Sequence, residues 1–222
     1  MELTTKYPRT YHLPYSPGLQ NDDRRVETGW EKLLDNEIII TEKLDGENNS
    51  LSNIDVFARS HGAPTRHPWN RNMWEQGGIH SQIKSWLDDD VMIYGENLYG
   101  IHSIEYNKLP FHFFIFAVRD FDMWKSWDEV KLMADILGLP TVPELFRGKV
   151  SSEKELEEMI LQFMTQNSRY GDTIEGCVVR NSGEYHVDDF SKNVVKYVRK
   201  GHVQTDQFWT KNWKRAKLIY EY

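Results

Sequence analysis

A single lysine stands between two carboxylates in the stretch "IIITEKLDGENNSL", residues 38–51. Lys43 is flanked by Glu42 and Asp45, then followed by Gly46 and a polar cluster that includes Asn48. At neutral pH a lysine is protonated and not nucleophilic, and desolvation or a neighbouring cation must first remove its proton. The mouth of the apolar run 38–40 offers the first route, and a bound divalent metal offers the second. Alone, the spacing K-x-D-G equally fits an ion-paired turn at Gly46.

Groups downstream bear on that choice. "FARSHG" carries Arg59 off a strand end into a glycine turn, and "VMIYGENLYG" sets Glu96 just past a glycine on an apolar strand. "FHFFIFAVRD" is a run of alternating aromatics that holds Phe114 and Phe116. "TIEGCVVRN" places Glu175 before Gly176, and "VVKYVRK" presents Lys196 among β-branched residues. Singly, each reads as a rim charge, a core ring or a strand-edge lysine. Five such groups around one lysine are improbable as coincidence.

The elements that must position them alternate short β-rich runs with amphipathic stretches, without repeats or linkers. Strands are expected at Glu37–Glu42, Ile54–Arg59, Val91–Gly95, Phe111–Val118, Glu175–Arg180 and Val194–Val198. Helices are expected at Gly29–Leu34 and Ser81–Leu87. Two more follow capping-box spacings, Ser126 to Glu129 and Ser152 to Glu155. Uneven strand spacing with interspersed helices predicts an α+β fold of mixed or antiparallel sheets, in one domain spanning residues 1–222. The loop Ser60–Gly78 interleaves Arg, His and Trp, which can hold phosphates and stack bases.

The 222 residues carry a net charge of −7, yet the segment Ser191–Tyr220 holds eight Lys or Arg and one acid, Asp206. Residues 201–222 are read as a basic helical tail in which Trp209, Trp213, Ala216 and Tyr220 share one face, with Trp209 and Trp213 packing inward and Lys211, Lys214 and Arg215 outward. Such a patch attracts phosphate backbones. The one cysteine, Cys177, excludes an intramolecular disulfide and a multi-cysteine zinc site. No apolar run is long enough to span a membrane, so no membrane partner is expected. The N-terminus lacks the basic and apolar regions of a signal peptide, which predicts a cytoplasmic protein.

The ordered set resembles the covalent nucleotidyltransferases, the superfamily of polynucleotide ligases and RNA capping enzymes, and most of all RNA ligases of the RNA ligase 2 type. "EKLDGENN" is similar to its motif I, "ARSHG" to the arginine-bearing segment Ia and "YGENLYG" to motif III. "FFIFAV" is similar to motif IIIa, "EGCVVR" to motif IV and "VVKYVRK" to motif V. The resemblance covers about residues 37–200 and implies a nucleotidyltransferase (ATP-grasp-like ligase adenylation) fold. Asn48 after motif I fits RNA ligases better than capping enzymes.

The resemblance further implies an ATP-dependent RNA ligase. Lys43 would attack the α-phosphorus of ATP to give a lysyl-AMP, with Lys196 clamping that phosphate. Arg59 would meet the ribose or the 5′-phosphate of the nucleic acid, and Glu96 the ribose hydroxyls. Glu175 would help place Mg2+ or Mn2+, and Phe114, with Phe116 as alternative, would stack on adenine. Glu42, Asp45, Gly46 and Asn48 would complete the nucleotide site, Gly46 giving the backbone room to turn beside the ligand. RNA ends bearing a 5′-phosphate and a 3′-hydroxyl would be joined, with a separate nucleic-acid-binding or end-healing partner as a further expectation.

Two departures matter. Motif V usually offers two lysines one residue apart, but Val198 holds the second place, leaving Arg199 or Lys200 to compensate. Ala117 stands where motif IIIa commonly has an acid. Only about two dozen residues follow motif V, too few for an oligonucleotide-binding barrel, which favours a minimal RNA ligase. A GTP-dependent capping-type guanylyltransferase, a DNA nick-sealing ligase and a non-catalytic nucleotide- or RNA-binding module remain as alternatives.

Overall fold

The computed structural model describes residues 6–19, 23–59, 62–201 and 209–221. Its strands are β1 (Tyr11–His12), β2 (Ile38–Lys43), β3 (Glu47–Leu51), β4 (Val56–Ala58), β5 (Val91–Asn97) and β6 (Phe113–Asp120). They continue with β7 (Met123–Trp124), β8 (Glu144–Gly148), β9 (Gly176–Asn181), β10 (Tyr185–His186) and β11 (Val194–Val198). One sheet has the order β1-β11-β9-β2-β8 and the other β10-β7-β6-β5-β3-β4. Only β1 and β11 pair in parallel among the described strands, so the mixed, largely antiparallel α+β expectation holds.

Strand β2 divides its side chains between two cores because successive residues face opposite ways. Ile38 and Ile40, with Cys177, Val179, Val195 and Tyr197, pack under the helix Glu153–Phe163 through Leu156 and Ile160. Ile39 faces the other way, into the core shared with the second sheet. Thr41 and Lys43 continue that inner row. The first sheet is therefore covered by a helix on one side and by a second sheet on the other.

Both predicted N-caps are present. Ser126 and Glu129 form a reciprocal capping box ahead of Trp127–Leu137. Ser152 Oγ accepts from Glu155 N, whereas the Glu155 carboxylate accepts from Ser151 instead. The predicted helix at 29–34 is a 3-10 turn, Trp30–Asp35, and that at 81–87 splits into Ile79–Ile83 and Lys84–Trp86. Strands β3 and β8 were not expected. Their residues, "ENNSL" and "ELFRG", lack the β-branched composition that marks strands, and pairing with buried neighbours overrides it. No helix among the described residues is long and apolar enough to cross a membrane.

The tail departs from expectation. Its described part is extended rather than helical, bracketed by single 3-10 turns at Trp209–Lys211 and Ile219–Glu221, and residues 202–208 lie outside the described set. Ile101 N donates to Lys214 O, Ala216 N to Tyr99 O and Ile219 N to Leu109 O. Ala216 and Leu218 are buried on either side of exposed Lys217, a period of two. Tyr220, expected on the inner face of a helix, is 74% exposed. Trp213 packs against Tyr99 with ring centroids 5.9 Å apart. Lys211, Lys214 and Arg215 face outward as predicted.

Because the tail docks as a strand, its stability contribution should follow that alternation. Leu218→Ala is expected to cost about 2 kcal/mol, and Lys214→Ala less than about 0.5 kcal/mol, in urea unfolding. Equal losses would contradict the docking.

Candidate active site

The inner faces of the two sheets enclose a cavity of about 400 Å³. Register explains its lining. Lys43 stands opposite Gly176, and Lys196 opposite Val178, so the inner rows of β2, β9 and β11 bring Lys43, Val178, Arg180 and Lys196 to one wall. The second sheet supplies Asn48, Glu96 and Phe116, and Arg59 borders the cavity just beyond β4. Gly176 is obligatory here: a Cβ would lie 2.1 Å from the Tyr197 carbonyl oxygen.

Lys43 Nζ donates to both oxygens of Glu175, each at 2.7 Å. Burial pulls the lysine's pKa down, but the charges of Glu175, Glu96 and Asp45 overcome it and leave it above its ordinary value. In this state Lys43 is an ammonium. Burial raises Glu175 to about 7 against the lowering effect of Lys43. Burial likewise raises Glu96 to about 8, opposed by Lys43 and reinforced by Glu175 and Asp45. Glu96 Oε1 accepts from Gly46 N at 3.1 Å, which ties motif III to motif I.

Lys196 Nζ meets Asp23 Oδ1 at 3.0 Å, and the other Asp23 oxygen lies 3.1 Å from His12 Nε2. Burial lowers the Lys196 ammonium, Asp23 supports it, and the charges of Lys43 and Arg59 lower it further. His102 also borders the cavity. Burial takes its imidazole down to about 4, so it is neutral at physiological pH.

Several predicted residues take other roles. Glu42 borders the cavity between Thr41 and Lys43, but its carboxylate accepts from Ser168 Oγ and Arg169 N. Asp45 does not line the cavity. Its Oδ2 accepts from Ser103 N at 2.8 Å and Ile104 N at 2.7 Å, which fastens the loop after β5. The space beside Gly46 is filled by β5, since a Cβ would lie 2.5 Å from Asn97 O. The glycine thus serves strand packing while also bordering the cavity.

The alternative ring, Phe116, is the one brought to the cavity. Gly95 pairs with Ile115 and Tyr94 with Ala117, which leaves Phe116 as the extra residue of a β-bulge. Phe116 borders the cavity, with its ring centroid 4.9 Å from Tyr7, while Phe114 is fully buried beside Tyr170. Neither Arg199 nor Lys200 lines the cavity, and both sit past the end of β11. The additional cation is Arg180, which donates to Phe116 O and to Thr41 Oγ1 at 3.2 Å and lies over the Trp127 ring. It was legible in "EGCVVR", two residues on from Val178 along the same strand face. Lys211, Lys214 and Arg215 lie outside the cavity lining, and Arg215 pairs with Glu221.

Among the described residues no three His, Cys, Asp or Glu side chains gather as a metal cage. Glu175 and Glu96, two carboxylates that feel each other's charge beside Lys43, suit a hard cation that completes its shell with water and phosphate oxygens.

The RNA ligase family profile matches residues 36–198. The chain belongs to the RNA ligase family. It is similar to an archaeal ATP-dependent RNA ligase at 15% identity and a TM-score of 0.59, over 88% of this chain and 48% of that one. A Naegleria gruberi RNA ligase mutant with ATP and Mn has 17% identity and a TM-score of 0.61, over 92% and 62%. A putative ATP-dependent DNA ligase from Aquifex aeolicus gives 17%, 0.55, 89% and 50%. The chain spans about half to three-fifths of these relatives' lengths. At such identities the likeness is one of fold. No curated protein sequence matches.

The raised carboxylates set a pH dependence. A carboxyl whose folded pKa exceeds its unfolded value stabilises fully below the unfolded value and loses that contribution as pH rises through the folded one. Melting temperature should therefore fall from about pH 5 to pH 8, and the fall should be shallower in Glu96→Gln. A variant that tracks the parent across that range would refute the assignment of Glu96.

Proposed function

We propose that this RNA ligase family member is an ATP-dependent enzyme that seals RNA 5′-phosphate ends to 3′-hydroxyls through a lysyl-AMP intermediate. The observation that carries the reading is one cavity lined by Lys43, Glu96, Arg180 and Lys196 on the inner faces of two sheets, with Glu175 bound to Lys43.

In the first step the ammonium of Lys43 loses its proton to solvent. Nζ then attacks the α-phosphorus of ATP, the N–P bond forms, and the bond to the leaving pyrophosphate breaks. Lys196 neutralises charge on the α-phosphate, where positive groups fixed in advance act most strongly. Arriving phosphates compete with Glu175 for Lys43, which separates the ion pair. A divalent cation held by Glu175 and Glu96, partly through water, would supply the positive charge that favours the neutral amine. Phe116 stacks on adenine, and Glu96 accepts from the ribose hydroxyls.

In the second step an oxygen of the RNA 5′-phosphate attacks the lysyl-AMP phosphorus and releases Lys43. In the third, the 3′-hydroxyl attacks that 5′-phosphate and AMP leaves, with Arg59 holding phosphate. The Naegleria relative studied with ATP and Mn supports the choice of nucleotide and of a divalent metal.

Incubation with α-labelled ATP and Mg2+ or Mn2+ should attach label that survives detergent denaturation and is absent from Lys43→Ala. No label on the parent chain would refute the reading. Label from GTP instead would make it a capping-type transferase, and preferred sealing of nicked DNA would make it a DNA ligase. Nucleotide binding without label would make it a binding module.

The stacking role predicts that Phe116→Ala raises the KM for ATP in this labelling by about tenfold, with Phe114→Leu changing it little. The converse result would return the role to Phe114.

A further inference from the structure

A buried cluster beside Lys196 has no part in the steps above. His12 on β1 pairs with Lys196 on β11, so the two side chains stand on the same face of the sheet. The His12 imidazole is fully buried. Its Nε2 lies 3.1 Å from one oxygen of Asp23, whose other oxygen accepts from Lys196 Nζ at 3.0 Å. One carboxylate thus stands between a lysine of the cavity wall and a histidine outside the cavity lining.

At its other nitrogen the ring meets a group that can both give and accept. His12 Nδ1 is 2.8 Å from Ser16 Oγ, which also accepts from Val198 N at 2.9 Å and has the Val198 carbonyl oxygen at 3.4 Å. A carboxylate only accepts, so Nε2 carries a hydrogen towards Asp23 in either charge state of the ring. In the neutral ring the Ser16 hydroxyl donates to Nδ1. In the imidazolium Nδ1–H donates to Ser16 Oγ, and the hydroxyl turns to the Val198 carbonyl. Both states satisfy the ring, and an imidazole changes charge near neutral pH. Among the described residues the other charges nearby are Arg24 and Arg25, whose backbone pairs with His12, while Lys43 and Arg59 act on Lys196. Arg25 is turned to the Ser16 carbonyl oxygen, to which its Nη2 donates at 3.4 Å.

Capture of a phosphate by Lys196 ends its contact with Asp23. That carboxylate is only 18% exposed, and taking one member from a shielded ion pair leaves a charge that water answers poorly. We propose that His12 is a positioning residue for this exchange: as Lys196 turns to the α-phosphate of ATP, the imidazole takes one proton from solvent at Nδ1 and becomes the counter-ion of Asp23. Charge balances, since an imidazolium replaces the departed ammonium beside the carboxylate. When AMP leaves, the ring returns its proton and Asp23 recovers Lys196. The proposal rests on the ligase reading above.

The test titrates the full chain with α,β-methylene-ATP and Mg2+, an analogue whose P–C bond blocks adenylylation. Calorimetry at about pH 7 in buffers of differing ionisation heat gives the number of protons taken up. Changes at Glu175 and Glu96 cancel when proteins are compared. His12→Gln and Asp23→Asn should each take up fewer protons than the parent, by about half a proton or more. Equal uptake in all three would overturn the proposal. A second measurement needs no variant: the His12 Cε1–H resonance of the parent is followed by NMR against pH. Its titration midpoint should rise by about one pH unit with the analogue bound, and an unchanged midpoint would overturn the proposal. Failure of the parent to bind the analogue, or to form labelled lysyl-AMP from ATP, would instead overturn the ligase reading.

Discussion

Lys43 and Glu175 meet because β2 and β9 pair with Lys43 opposite Gly176, so the residue just before β9 reaches the lysine's ammonium. An ion pair in so enclosed a place is stable only if each charge is answered, since desolvation consumes most of the Coulombic gain. Its needs organise the neighbourhood. Glu96 and Asp45 add negative field, and Asp45 is itself fixed by two backbone donors of the loop after β5. Gly176 must be bare for β9 to lie against the backbone of Tyr197, which brings Lys196 to the same wall.

The first sheet does two jobs with one alternation. Its outer rows of Ile38, Ile40, Cys177, Val179, Val195 and Tyr197 are apolar and carry a helix. Its inner rows become polar toward the end where Lys43 and Lys196 lie. Rigid strands held by a core on the far side fix side chains more tightly than loops would, which a charge-transfer site requires. The second sheet closes over them, and its bulge at Phe116 turns one core ring to border the cavity.

Much of this was legible from residue types. Acids and cations beside glycines on apolar strands located Lys43, Glu96, Glu175 and Lys196, because strand alternation and charge desolvation leave marks on sequence. Contacts made across sequence distance left none. Nothing local distinguishes Phe114 from Phe116, since the bulge depends on how β5 and β6 register. Nothing local shows that Glu42 is taken by Ser168, or that Asp45 serves a loop 58 residues away. The tail misled because apolar residues at spacings of three and four suggested a helix, while docking against Tyr99 and Leu109 imposes a period of two. Arg180 lay in plain view within a quoted motif but was read as part of a strand rather than of a site.

The pairing of Lys196 with Asp23 has a consequence for how anions bind. Both lysines that would receive phosphate already hold internal carboxylates, Lys43 with Glu175 and Lys196 with Asp23. A nucleotide arriving here would perform ion exchange, displacing fixed protein anions rather than mobile salt. The positive charge of each lysine is reserved until a polyanion competes for it, and small monovalent anions at physiological concentration have little purchase. Occupancy of such a site should vary less with ionic strength than exposed lysines would allow. It would also oblige Asp23 to give up a charge partner whenever a polyanion binds.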